Sequence, residues 1–277
     1  MNIIPAISAE TVSLFTTEEL RHNFLLESLF IPDSVELNYW ETDRTIVGSA
    51  VPVKGSLKLE ASKKELAADY FLERREIGIL NIGGDGSIEV DGTAYPMSKL
   101  DCLYIGRGAK SVIFSSKDSA APAKFYLLSY PAHVSYPTTL AKQSDATAVH
   151  LGSSETANER TLYKYIHGDG VKSCQLVMGI TCMKSGSIWN TMPSHTHLRR
   201  SEAYLYFDID PAHRIIHLMG EPQETRHLVV AEGQAILSPV WSIHSGAGTA
   251  SYSFCWGMGG ENQDFNDMDG FPIADLK

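Results

Sequence analysis

The stretch GSIEVDGTAYPMSKLDCLYIGRGAKSVIF, residues 86–114, decides the fold. Ile88 and Val90 alternate with polar residues and run into Asp91-Gly92, a pair suited to the two positive-φ positions of a type I′ hairpin. A second β-rich run, LDCLYI, follows, then a tight turn at Gly106–Gly108 and a third run ending in SVIF. The same texture recurs down the chain, in ITCMKSGSIWNTM (180–192), EAYLYFDI (202–209), RIIHLMG (214–220), RHLVVAEGQAILSP (226–239) and ASYSFCWGM (250–258). Short apolar runs punctuated by Gly, Asp and Pro predict an all-β chain built as sandwich or barrel.

Two regions break this texture. Residues 16–30, TTEELRHNFLLESLF, carry a capping-box pair in Thr16 and Glu19 and apolar pairs four apart, such as Leu20 and Phe24, which predict a helix. From about Tyr130 to Asn158 the chain is rich in Pro, Ser, Thr and Ala with little periodicity, and reads as a connector. The expected organisation is therefore a helical N-terminal arm (1–45), a first barrel (46–135), a linker (136–158) and a second barrel (159–277). A weak echo between the halves, Arg74-Arg75-Glu76-Ile77 against Arg199-Arg200-Ser201-Glu202, suggests duplication.

The 277 residues are 43% hydrophobic and 20% charged, with a net charge of −10 and no long basic run, so a nucleic-acid or anionic-membrane surface is not expected. No apolar stretch approaches the roughly 20 residues that cross a bilayer, and MNIIPAISAETVSLF lacks the basic start and apolar core of a signal peptide. Cys102, Cys174, Cys182 and Cys255 are scattered, without a CxxC pair, as in a reducing compartment. The cytoplasm is the expected location.

The chemistry concentrates in His195-Thr196-His197 and Glu202. Residues two apart in a strand share a face, so both imidazoles can reach one point, and a chain reversal can return the Glu202 carboxylate to it. Gly233-x5-Pro239-x-Trp241-x2-His244 supplies a fourth ligand from a distant turn. Three imidazoles and one carboxylate suit a divalent transition metal such as Zn, Mn, Fe, Co or Ni, with coordination positions left open as in catalytic sites.

HxHx4E and Gx5PxWx2H resemble the two cupin motifs, except that Trp241 stands where Gly is usual and no Asn follows His244 at the usual spacing. Over nearly the whole chain, segments such as YFLERREIGILNIGGDG (70–86), QETRH (223–227), SPVWSIHSG (238–246) and WGMGGENQDFNDMD (256–269) are similar to the bacterial 5-keto-4-deoxyuronate isomerase family. That resemblance implies two cupin-type antiparallel β-barrels (a bicupin) and one zinc per chain on His195, His197, Glu202 and His244. It implies conversion of 5-dehydro-4-deoxy-D-glucuronate to 3-deoxy-D-glycero-2,5-hexodiulosonate in pectin breakdown, by a homo-oligomer that is hexameric in the family. The first barrel is expected to lack the site: counting from Glu76, the His positions fall on Asp69 and Phe71, and Ser111 lies opposite His244.

An aldose–ketose isomerisation needs a proton shuttle, for which Glu224, His227 and Glu202 are the candidates. It also needs a cation for the substrate carboxylate, expected from Arg199, Arg200 or Arg226, while Tyr204 and Trp241 are candidates to line the cavity. The alternatives are the related 5-deoxyglucuronate isomerase of inositol breakdown, an oxygen-using iron cupin, and a non-catalytic sugar-acid-binding bicupin.

Overall fold

The computed structural model describes residues 1–277. The chain divides into two compact units, the first formed by residues 1–4, 29–147 and 165–178, the second by 5–28, 148–164 and 179–277.

In the first unit a seven-stranded sheet runs in the order Asn2–Ile4, Val35–Trp40, Thr45–Ala50, Phe125–Pro131, Arg75–Asn81, Cys102–Ile105, Thr139–Ala141. A four-stranded sheet, Leu57–Lys58, Val112–Ser116, Gly86–Val90, Thr93–Met97, completes it. Alternate residues of both sheets bury against each other, Ile77, Ile79 and Leu127 from the larger and Ile88, Phe114 and Met97 from the smaller, forming one continuous apolar core. The hairpin read from the sequence is present, with Val90 opposite Thr93. Asp91 (φ 49°) and Gly92 (φ 85°) supply its two positive-φ positions.

The second unit repeats this plan. Its seven-stranded sheet runs Thr147–Leu151, Arg160–Ile166, Val177–Met183, Ser253–Gly260, Arg200–Phe207, Ala235–Ser238, Leu25–Leu26, and its four-stranded sheet Trp189–Asn190, Ser245–Gly248, Ile215–Glu221, Glu224–Val230. A further two-stranded pair joins His195–Thr196 to Asp269–Gly270. The all-β, two-module expectation therefore holds, each module being two open sheets in a jelly-roll sandwich rather than one closed barrel.

The expected boundaries differ from the compact units. The helix is Thr17–Phe24, capped as predicted by Thr16 Oγ1 accepting from Glu19 N (3.3 Å) and Glu19 Oε2 accepting from Thr16 N (2.7 Å). It ends six residues before Phe30 because Leu25 and Leu26 leave it to pair with Ile236 and Ala235. The arm is thus divided: residues 1–4 and 29–45 fold with the first unit, 5–28 with the second. The segment read as a linker also supplies strands: Thr139–Ala141 pairs with Cys102–Ile105, and Thr147–Leu151 edges the second large sheet. Both are short and sit at sheet edges with half-exposed or exposed side chains, too brief to show a strand period. No helix is long and apolar enough to cross a membrane.

Candidate metal centre

His195 and His197 precede the central strand Arg200–Phe207, on which Glu202 is the third residue, while His244 precedes the strand Ser245–Gly248 of the smaller sheet. Two sheets facing each other thereby bring residues 49 positions apart into contact. The side-chain nitrogens of His195, His197 and His244 lie within 4.8 Å of one another. His244 Nε2 is 3.1 Å from His195 Nε2 and 3.1 Å from Glu202 Oε2, and His197 Nδ1 is 3.6 Å from the same carboxylate oxygen. Ser238 Oγ stands 3.3 Å from His244 Nδ1, where it holds the ring with Nε2 turned to the cluster.

Burial sets the charge state of these groups. It pulls His195 down to about 4 and His197 to about 3, aided at His195 by Arg200 and at His197 by the neighbouring His195, and it holds His244 well below the ordinary histidine range. It pushes Glu202 up to about 8, against the opposing pull of Arg200 and a hydrogen bond from the Tyr204 hydroxyl. The imidazoles are thus neutral, with lone pairs available. Glu202 Oε2 is buried without a hydrogen-bond donor. A carboxylate oxygen in that condition is costly unless a cation lies against it. Three neutral imidazoles converging on an undersatisfied carboxylate oxygen is a donor set that fits a divalent metal.

The cluster opens on a cavity of about 500 Å3. Its walls include the apolar side chains of Met192, Leu162, Phe254, Trp256, Phe265 and Met268, with Thr181, Thr191 and Tyr204 as polar groups. Tyr204 reaches it because residues 202, 204 and 206 alternate onto the interior face of their strand. Its hydroxyl lies 3.4 Å from Thr191 Oγ1.

Of the residues expected at the site, His195, His197, Glu202, Tyr204 and Arg200 line the cavity, and His244 is buried against His195 and His197. Arg200, 1% exposed, is committed to Asp267 through both Nε (3.2 Å) and Nη2, and its Nη1 lies 2.7 Å from Met258 Sδ. Arg199 is tied to Asp267 and Asp269 and does not line the cavity. Glu224, Arg226, His227 and Trp241 lie elsewhere. Glu224 and Arg226 pair with each other at 2.9 Å, Arg226 also donates to Ser13 O, and Trp241 Nε1 donates to Ile7 O at 3.0 Å. On the strand Glu224–Val230 it is Leu228 and Val230 that bury, so His227 is turned to the exposed side by the two-residue period. Nearness in sequence to the ligands did not translate into nearness in space: His227 faces outward, and Glu224 and Arg226 are engaged with each other and with Ser13 O at the far end of this strand.

Sequence reasoning missed the strand Arg160–Ile166. Arg160, Leu162 and Lys164 all line the cavity, as do Val149 and Leu151 from the adjacent edge strand. The i, i+2, i+4 spacing was the available signal, but it does not say which face looks inward until the sheet is known.

A jelly-roll pair in which one module carries three histidines and a glutamate beside a cavity defines a two-module cupin with a metal-competent site. The chain belongs to the KduI/IolB family, which it matches over residues 31–270. It is 53% identical over 277 residues, the full length of both chains, to the 4-deoxy-L-threo-5-hexosulose-uronate ketol-isomerase of Lachnoclostridium phytofermentans. It is 52% identical over 272 residues, 98% of each chain, to the protein of the same name from Halalkalibacterium halodurans. Among solved structures it resembles an IolB-like protein from Salmonella typhimurium (TM-score 0.70, 13% identity, 90% of this chain and 97% of that one). It also resembles the oxalate decarboxylase of Lactobacillus farciminis (TM-score 0.61, 9% identity, 90% and 88%). At those identities the structural likeness bears on the fold alone.

Proposed function

We propose that this protein is a metal-dependent ketol-isomerase acting on 4-deoxy-L-threo-5-hexosulose uronate (5-dehydro-4-deoxy-D-glucuronate), yielding 3-deoxy-D-glycero-2,5-hexodiulosonate. One observation carries the reading: full-length identity of 53% to a protein of that name, in a chain whose metal-competent cluster opens on a cavity of about 500 Å3, sized for a six-carbon acid. His195, His197, Glu202 and His244 are the residues that hold one divalent transition metal, and zinc suffices because the reaction is redox-neutral at the metal. When bound, the metal acidifies the carbon next to the carbonyl and stabilises negative charge on oxygen.

The rest falls to the chain itself. The reaction breaks the C–H bond at C2, delivers a proton to C1, and transfers the O2 hydroxyl proton to O1. Of the three candidate proton shuttles Glu202 alone lines the cavity, which supports its carboxylate, if its bond to the metal is weak, as the group that takes the C2 proton and returns it to C1. The Tyr204 hydroxyl, donating to Glu202, orients that carboxylate. Phe254, Trp256 and Met268 exclude water from the face on which charge develops. Work in the cytoplasm, in pectin-derived uronate breakdown and as a homo-oligomer, a hexamer by family resemblance, belongs to the same reading.

The test is metal analysis of purified protein followed by incubation with the uronate in D2O, with product identified by NMR. About one metal per chain, chelator-sensitive ketose formation and deuterium at C1 are expected. Metal without turnover would redirect the reading to another uronate. Absence of both metal and turnover would overturn it.

A further inference from the structure

The cations expected to take the substrate's carboxylate are already spent on acids of the chain: Arg199 on Asp267 and Asp269, Arg200 on Asp267, Arg226 on Glu224. Two other cations face the cavity, and neither has a carboxylate within ion-pair distance. Arg160 uses one nitrogen, Nη1, to donate to Asn158 O (2.8 Å), which leaves the other edge of its guanidinium fork uncommitted. Lys164 sets its ammonium 4.3 Å from the centre of the Phe265 ring, a contact that orients the charge without neutralising it. Both sit on one strand, two and four positions along one face with Leu162 between them, so they form a basic rung down one wall.

Such a pair is out of place in a chain of net charge −10, where every other cation named around the cavity has found an acid. A half-buried, unpaired guanidinium is unfavourable unless an anion completes it. Burial accordingly pulls the Arg160 pKa down, with only the Tyr252 and Tyr204 hydroxyls pulling the other way. Phe254 and Trp256, from a strand of the same sheet, and Met268 give the cavity apolar lining that offers no competing acid beside this pair.

We propose that Arg160 is the carboxylate-binding residue of the site, gripping the acid end of a sugar-acid substrate through its free guanidinium edge, with Lys164 supplying a second positive charge on the same wall. This rests on the isomerase reading for the identity of the substrate, but not for the existence of an anion site. The geometry gives the substrate a direction: carboxylate towards the strand Arg160–Ile166, reacting carbons towards His195, His197, Glu202 and His244. Arg160 is a binding residue and takes no part in proton transfer.

The experiment compares wild type with Arg160→Ala, Arg160→Lys and Lys164→Ala, each checked for metal content and cooperative unfolding. Turnover of the uronate and of its neutral methyl ester is measured alongside equilibrium binding of D-glucuronate, followed by isothermal titration calorimetry. Arg160→Ala is expected to raise KM for the acid by roughly 10- to 100-fold with a smaller change in kcat. It should leave the ester unaffected and weaken glucuronate binding by a similar factor. Arg160→Lys should recover part of the loss, and Lys164→Ala should show a several-fold effect that shrinks with added salt. Glucuronate binding that depends on Arg160, in a wild-type protein without turnover, would sustain the anion site and sink the isomerase. Normal wild-type turnover with acid and ester affected equally, or not at all, would overturn the role of Arg160 and leave the isomerase standing. Should Arg160→Ala fail to fold, the acid-to-ester ratio of Arg160→Lys decides: a ratio unchanged from wild type overturns the proposal.

Discussion

The two modules share a strand order but differ in what their central strand turns inward. In the first, Ile77 lies opposite Ile105 and Ser129; in the second, Glu202 lies opposite Ser238 and Met258. Ile105 precedes Gly106 just as Ser238 precedes Pro239, so Ile77, not Glu76, occupies the place of Glu202. Ile77 and Ile79 pack into a continuous apolar core with Ile88, Leu103 and Phe125, whereas Glu202 and Tyr204 border a cavity. Glu76 points to the other face. Its carboxylate is fully buried and accepts from Tyr104 Oη (2.7 Å) and from the backbone nitrogens of Cys174 (2.7 Å), Gln175 (2.8 Å) and Leu176 (2.9 Å). One carboxylate is saturated with donors and serves the fold. The other has an oxygen with none, and serves the site. A filled interior and a reactive interior are alternative uses of the same framework, and a one-residue register step separates them.

This contrast is most exposed to test at the ligands. Glu202→Gln or His244→Ala should lower bound metal from about one ion per chain to near zero and cut kcat/KM by roughly 10^3-fold or more, read by elemental analysis and turnover. Glu76→Gln should leave the metal in place, and loss of metal there would break the comparison. Glu76→Ala should instead act on stability. Removing the carboxylate strands three backbone N–H groups and a phenol, at a cost of about 3 kcal/mol, or roughly 10 °C in the calorimetric midpoint, with metal content unchanged. Tyr204→Phe deletes the hydroxyl that orients Glu202 while keeping the ring stacked on Phe254. It should reduce kcat by about 10-fold with metal retained; a fall in metal instead would make Tyr204 part of the metal's support. The smallest effects belong to Glu224→Gln and His227→Ala, each expected within about two-fold of wild-type activity since both side chains are exposed and neither lines the cavity. A large loss at either would place that hairpin in the site after all.

How much was legible follows from the kind of signal each feature leaves. The hairpin at Asp91-Gly92, the capped helix start at Thr16 and the β-rich texture are local, and each appears where its residue types require. HxH followed by Glu202 was legible because a two-residue period and the donor chemistry coincide, and His244 because Pro239 and Gly233 shape its turn. What failed was facing. Glu224, Arg226 and His227 look like site chemistry in one dimension, yet His227 is turned outward, and Glu224 and Arg226, though on the face of Leu228 and Val230, pair with each other and with Ser13 O away from the cluster. Arg160 and Lys164 suffered the reverse: Arg-Thr-Leu-Tyr-Lys alternates like any strand, and only its sheet neighbours show that 160, 162 and 164 look inward. The linker reading failed because these strands are short and stand at sheet edges, with Leu140, Val149 and Leu151 too few to show a period.

The division of the N-terminal arm also orders events in time. Leu25 and Leu26 find their sheet partners in Ile236 and Ala235, about 210 residues further along the chain. At ribosomal speeds of roughly 5–20 residues per second, that leaves them waiting some 10–40 seconds. During this interval most of residues 29–147 can condense around their own core. The module with the histidine cluster cannot close until its last strands emerge, so assembly of that cluster is a late event in the life of a newly made chain. Codon-level pauses downstream of residue 147 would lengthen the exposure of that waiting leucine pair without touching a single ligand.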